Sequence, residues 1–132
     1  MVELTQEIAT SLAEAKTAFL ATSSKDGNPN VVPIAAYTVL EDGSLLISDQ
    51  YFNKTLANMQ ENPRIALSWW GAKGGFQIKG TVTLHADDEV FARNVAWMKE
   101  RWPKFVPKSA VLVTVTDVYI VKPDPEPGKK IL

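Results

Sequence analysis

Hydrophobic residues recur along this chain with two different periods, and the changes of period divide it into elements. Near the N-terminus Ile8, Leu12 and Ala15 fall at helical spacing while Gln6, Glu7, Glu14 and Lys16 are polar, which predicts a short amphipathic helix capped by Thr5. Ala18 to Thr22 is an apolar run of strand length. The turn Lys25-Asp26-Gly27-Asn28 separates it from a β-branched stretch, Asn30 to Leu40, which predicts one long strand ended by Glu41-Asp42-Gly43-Ser44. Leu45 to Ser48 predicts the third strand.

A second helix is expected from Lys54 to about Glu61, because Asn53 is a favoured N-cap and Pro63 disfavours helical backbone at Asn62. Arg64 to Trp70 returns to strand character. After the glycine-rich turn 71–75, Phe76 to Leu84 alternates so that Phe76, Ile78, Val82 and Leu84 share a face, and Gly80 among them predicts a bulge or a close approach. Asp87-Asp88-Glu89 places negative charge at the start of a third helix, whose Phe91, Val95, Met98 and Trp102 keep helical spacing until Pro103 stops it. Ala110 to Val121 is the last strand, and the proline-rich residues 122–132 predict an extended tail. Six strands in hairpin order, with three short helices, do not follow a βαβ alternation. The expected fold is mostly β with short helices (α+β), an antiparallel barrel or sandwich in a single domain over residues 1–132.

A chain of 132 residues suffices for such a domain. With 14 basic and 15 acidic side chains, a net charge of −1 and no basic block, nucleic acid is not an expected partner. The absence of cysteine excludes disulfides and thiolate metal sites, a single histidine excludes histidine clusters, and the carboxylates are scattered, so no metal site is expected. No signal-like or spanning apolar run occurs; the expectation is a cytoplasmic protein without a membrane partner. No set of side chains reads as an acid, base or nucleophile constellation, so no catalytic residue is named. His85 reads as a solvated connector that nothing nearby in sequence orients. Four tryptophans exceed what one small core demands, which points to an interface or a wall beside a ligand.

The stretch Ser48 to Thr55 carries the clearest chemistry. There a strand gives way to a helix whose free N–H groups, Lys54 ammonium and Thr55 hydroxyl, next to Asn53, could converge on one anion. The plain alternative is a capped helix with a solvated lysine.

Three patterns, in this order and spacing, resemble a known family: Ala18-Phe19-Leu20-Ala21-Thr22 leading through Asp26-Gly27 to Pro29-Asn30-Val31-Val32-Pro33-Ile34; Asn53-Lys54-Thr55-Leu56-Ala57-Asn58 with Asn62-Pro63-Arg64-Ile65-Ala66-Leu67; and Phe76-Gln77-Ile78-Lys79-Gly80. The family is the FMN-binding split β-barrels, which include the pyridoxamine 5′-phosphate oxidases and small FMN-binding proteins, and the resemblance runs from about residue 6 to the C-terminus. It implies a homodimeric antiparallel split β-barrel with FMN at the subunit interface. By that resemblance the phosphate rests on Lys54 and Thr55 beside Asn53, and the ring lies along the backbone of Val32, Pro33 and Ile34. Ser48, Asp49 and Gln50 are the local candidates for polar contacts with the electron-rich edge of the ring. Gln77, with Lys79 on one side of its strand, faces the partner's flavin or else water. The implied activity is that of an FMN-dependent oxidoreductase with a small-molecule redox partner. The alternatives are an electron carrier or flavin store, a deazaflavin-dependent reductase on the same fold, and a barrel without cofactor. Oxidation of vitamin B6 is not expected, because no arginine and histidine cluster occurs near the end of the chain. The tail around Pro125 to Ile131 resembles tails that reach over a neighbouring site; the plain reading is a frayed basic end.

Overall fold

Three helices and seven strands follow one another in the computed structural model, which describes residues 2–72 and 74–132. They are α1 (Gln6–Ala15), β1 (Ala18–Ser23), β2 (Pro29–Ile34), β3 (Tyr37–Val39), β4 (Leu45–Asp49), α2 (Lys54–Glu61), β5 (Arg64–Gly71), β6 (Gly74–His85), α3 (Glu89–Arg101) and β7 (Ser109–Ile120). All strand pairs are antiparallel, and the sheet order is β2-β1-β5-β6-β7-β4-β3.

The single long strand expected over Asn30–Leu40 is in fact two. β2 pairs with β1 at one margin of the sheet, β3 pairs with β4 at the other, and Ala35-Ala36 joins them. The sheet curls until its two margins are consecutive pieces of backbone, and Ala36 accepts a bond from the Ser48 amide at 2.9 Å at that corner. This is a split barrel closed by a covalent corner. β-Branched residues on both sides and the lack of glycine at the corner hide it from a pattern search.

The two hairpins on either side of the corner turn in the same way. Ser24 N donates to Asn28 O and Gly27 N to Ser24 O, while Leu40 N donates to Ser44 O and Gly43 N to Leu40 O. Gly27 and Gly43 take φ of 91° and 88°, a region that side chains rarely occupy, so the Asp-Gly pairs read from sequence have a defined role. The expected irregularity at Gly80 is present: β7 carries one extra residue, Thr116, opposite the Lys79/Gly80 step. A Cβ on Gly80 would stand 2.5 Å from the Thr114 carbonyl oxygen.

Leu20, Ile47, Leu67, Trp69, Ile78, Val111 and Val113 fill the barrel and are almost fully buried. α1 closes one end with Ile8 and Leu12, held by the Thr5 cap on the Ile8 amide and by the Trp69 indole N–H donating to Ser11 at 2.9 Å. Asp88 caps α3. In α3 the fully buried side chains are Asn94 and Met98, whereas Phe91 and Val95 are only half-buried, which shifts the inward stripe from the predicted one.

The C-terminal tail is not frayed but docked on its own chain. It turns at Gly128 and runs back along β7, with Ile120 N donating to Lys129 O, Ile131 N to Val118 O and Val118 N to Leu132 O. The Lys130 ammonium meets Asp117 at 2.7 Å. Val2 N bonds Val115 O, so β4, Val2 and the tail successively cover the outer margin of β7. Burying those strand groups leaves no template for edge-to-edge pairing there.

Candidate functional site

A cleft of about 440 Å³ lies beside the Ala35-Ala36 corner. Its first wall is the chain from Val32 to Ala36. β2 is the margin of the sheet, so part of its backbone hydrogen-bonding capacity is not used by β1. Its second wall is the connection from β4 to α2, including Ser48, Gln50, Phe52, Asn53, Lys54 and Thr55. Met98, Trp102 and Phe105, from the end of α3 and the loop after it, form the third. The structure thus brings together Val32, Pro33, Ile34, Ser48, Gln50, Asn53, Lys54 and Thr55 from the sequence-derived set.

Asn53 occupies the N-cap position of α2, as expected, but its side chain makes no capping bond. The expected cap is corrected: backbone at Asn53 (φ −131°, ψ −86°) lies outside the usual N-cap region, and the first-turn N–H groups are left for another acceptor. Thr55 is buried, and its hydroxyl oxygen accepts from the Asn30 amide at 3.0 Å. Its proton therefore remains available as a donor. The same Asn30 nitrogen reaches Thr22 at 3.2 Å, and Asn58 reaches Thr22 at 3.1 Å, so a small polar network fixes the first turn of α2 against β1 and β2.

Asp49 does not join the cleft. Its side chain is fully buried, accepting from Phe52 N at 2.8 Å and Ser109 Oγ at 2.7 Å, while its carbonyl takes Lys108 N at 2.7 Å. It fastens together the two loops that frame the cleft. Alternation explains the difference from its neighbours: Ser48 and Gln50 point one way and Asp49 the other. Ser48 donates to the Gln50 side-chain oxygen and accepts from Asn94 Nδ2 at 3.0 Å. With its oxygen occupied, Gln50 has its NH₂ group left to present.

Gln77 also lies apart. It stands in a cross-strand row on the outer face of the sheet, Pro33–Phe19–Ser68–Gln77–Tyr119, whose first member alone lines the cleft. His85 is not the unoriented connector expected: Nδ1 lies 2.6 Å from Asp88 and Nε2 2.7 Å from Thr83, and the ring is away from the cleft.

The sequence profile of pyridoxamine 5′-phosphate oxidase matches residues 4–122. The chain belongs to the pyridoxamine 5′-phosphate oxidase family. An uncharacterised protein of Methanocaldococcus jannaschii is 40% identical over 134 residues, covering 99% of this chain and 89% of that protein. Solved structures with the same fold include HupZ of Group A Streptococcus, with a TM-score of 0.80, 20% identity and coverage of 91% of this chain and 95% of that one. An FMN-binding protein from Syntrophomonas wolfei has a TM-score of 0.68 at 20% identity, with 86% and 84% coverage. HutZ, the heme storage protein of Vibrio cholerae, has a TM-score of 0.70 at 17% identity, with 90% and 95% coverage. At such identities these structures share the fold of the pyridoxamine 5′-phosphate oxidase family, and the ligand has to be argued from the cleft.

Of the third wall, sequence reasoning reached only Trp102, as one of four surplus tryptophans pointing to an interface or a ligand wall, and missed Met98 and Phe105. Met98 and Trp102 read as an apolar helix stripe, and Phe105 lies in a loop without pattern. Tyr51 and Phe105 meet edge to face at the cleft mouth with centroids 6.0 Å apart, Tyr51 largely and Phe105 partly exposed, and no sequence pattern singles them out.

Proposed function

We propose that this protein binds FMN non-covalently in the cleft and acts as an oxidoreductase on a small-molecule partner. The observation that carries this reading is the pairing, within one cleft, of an uncapped helix start bearing Lys54 and Thr55 with an apolar strand wall. A phosphate suits the first feature and a flat ring the second. From Asn30, which holds Thr55, to Ala35 at the far end, five residues of extended chain span about 16 Å, a length that suits a phosphate, a sugar-alcohol chain and a ring in succession. The Gln50 amide group supplies a donor for the electron-rich edge of the ring. FMN, when bound, supplies the redox chemistry; the chain binds it, orients it and shields it from water.

The site is completed by a second copy of the chain in this reading. Phe19, Val31 and Trp70 are 50%, 62% and 61% exposed on the outer face of β1, β2 and β5, an apolar surface suited to self-association. Packing of two such faces brings Gln77 of one copy toward the cleft of the other.

Heme binding is less favoured by this cleft. The single histidine is engaged by Thr83 and Asp88 outside it, so an imidazole ligand is not on offer there.

The test is reconstitution with excess FMN followed by desalting. A yellow protein carrying about one FMN per chain is expected; a colourless one overturns the reading. Steady turnover of a reduced nicotinamide with an acceptor dye then separates an enzyme from an electron carrier.

A further inference from the structure

A second cleft, of about 530 Å³, opens off the first and shares Ala35 and Trp102 with it. It lies between the end of α1, β3 and the end of α3. Leu12, Val39 and the Trp102 ring give it an apolar floor, and Tyr37, Lys16 and Arg101 its polar lining. The order along the chain is informative: residues 28–30 border Lys54, 32–36 line the first cleft, and Ala35 with residues 37–39 lines the second. The second cleft therefore lies beyond the end of the first that is remote from Lys54 and Thr55.

Its charge is one-sided. Among the described residues, neither Lys16 nor Arg101 has a carboxylate within ion-pair distance, and the Arg101 guanidinium stacks 5.0 Å from the Trp102 ring centre. Two helices end here, and helix C-termini attract cations, which is the ordinary reason to find basic residues at such places. Carbonyls at both ends are, however, already engaged. Leu12 O accepts from Tyr37 Oη at 2.9 Å, Met98 O from Trp102 N at 2.7 Å, and Trp102 O from Phe105 N at 3.1 Å. Each helix end carries about half a negative charge against a full positive charge on each side chain, so the balance in the cleft stays positive.

Lys16 adds an independent observation. It is the only non-glycine residue with positive φ among the described residues, at φ 64° and ψ −26°, in the C-cap position where glycine costs less. A lysine is thus held in a strained conformation at the rim of this cleft, a pattern associated with functional positions.

We propose that this second cleft is the subsite for the flavin's reaction partner, a small molecule with a flat apolar body and an anionic end. The body lies on Trp102, and the anionic end is paired by Lys16 and Arg101. This inference rests on the flavin reading only for the role of the ligand; the anion site itself does not need FMN.

The experiment uses naphthalene-2-sulfonate as the anionic probe and naphthalene-2-methanol as its neutral counterpart. Each is titrated into ¹⁵N-labelled protein, with and without FMN. The sulfonate is expected to shift the Lys16, Thr38 and Arg101 amides and the Trp102 indole signal in both forms, and to bind alongside FMN. The double variant Lys16→Gln, Arg101→Gln should weaken the sulfonate at least tenfold and leave the neutral probe unchanged. Unchanged sulfonate affinity in the double variant, or shifts confined to the surroundings of Lys54, would overturn the subsite. Failure of FMN to bind while the sulfonate still depends on Lys16 and Arg101 would remove the flavin reading and leave the anion site standing.

Discussion

The Asn30 side-chain amide donates to the Thr55 hydroxyl at 3.0 Å, and this bond ties the strand wall of the cleft to the helix that opens onto it. Because Asn30 lies on β2 and Thr55 in the first turn of α2, the start of the helix cannot move away from the strand without losing a bond made by a buried hydroxyl. The proposed phosphate seat is therefore set in place before a ligand arrives.

Lys54 is the charged member of that seat. Lys54→Ala should weaken FMN by about 1.5–3 kcal/mol, roughly tenfold to a hundredfold in dissociation constant, because a charge-assisted bond to phosphate is lost. Riboflavin has no phosphate and should bind wild type and variant alike. Fluorescence titration of both flavins decides the matter, and equal losses would move the lysine away from the phosphate.

Asp49 is expected to matter for stability first. Asp49→Ala leaves the Phe52 amide and the Ser109 hydroxyl without their acceptor, at a cost of about 1–3 kcal/mol for each group left unsatisfied. Asp49→Asn retains a side-chain oxygen as acceptor and should lose less. Urea denaturation of the two variants gives the comparison, and equal stability to wild type in both would show that the clasp contributes nothing.

The tail should stay docked over a defined pH window. The Lys130 ammonium, chiefly by its hydrogen bond, holds the Asp117 carboxyl below its ordinary 3.8, and the Asp117 carboxylate holds Lys130 above its ordinary 10.5. A lowered acid stabilises the fold fully above its unfolded value and loses that contribution as the pH falls through the lowered one. A raised base stabilises fully below its unfolded value and loses that contribution as the pH rises through the raised one. The Ile131 and Leu132 methyl signals should thus hold steady between about pH 4 and pH 10 and move only outside that range. In Lys130→Ala the acid transition attributable to Asp117 should shift upward; no shift would sever the link between the pair and the tail.

Trp70 provides the check on assembly. Trp70→Lys places a charge in the middle of the proposed contact face and should convert a dimer to monomer in sedimentation velocity. FMN affinity should fall with it, since a ligand shared between two copies binds the dimer by mass action. A monomeric wild-type protein that holds FMN tightly would contradict the shared site.

Most of the architecture is legible in the chain because its turns carry explicit chemistry. Asp26-Gly27 and Asp42-Gly43 mark the two hairpins, and Asn62-Pro63 marks the end of α2, at or within a residue of the observed boundaries. The corner at Ala35-Ala36 was not legible, since alanine carries no turn preference and the β-branched pattern runs up to it on both sides. Within the site, the family resemblance and their place at the end of a strand could nominate Ser48, Asp49 and Gln50 together, but only the finished sheet separates the residue facing inward from those facing the cleft. Asn94 is a related case: the helical stripe pointed to Val95, and a buried amide leaves no periodic trace. Phe105 comes to the cleft through a loop pinned by Lys108 and Ser109 to residues more than fifty positions earlier, a relation with no local signature.

The corner at Ala35-Ala36 also orders the events of folding. The hairpins β1–β2 and β3–β4 close loops spanning only residues 24–28 and 40–44, and local hairpins form within about 1–10 μs. Their other partners lie far along the chain, as in the pairs Leu20–Leu67 and Ile47–Val111. The meander β5-β6-β7 must therefore be inserted between two hairpins already tethered by a pair of alanines. The slow step of refolding is then expected to be the docking of β1 on β5 and of β4 on β7, so that removing a contact across either pair should slow refolding more than removing one within either hairpin.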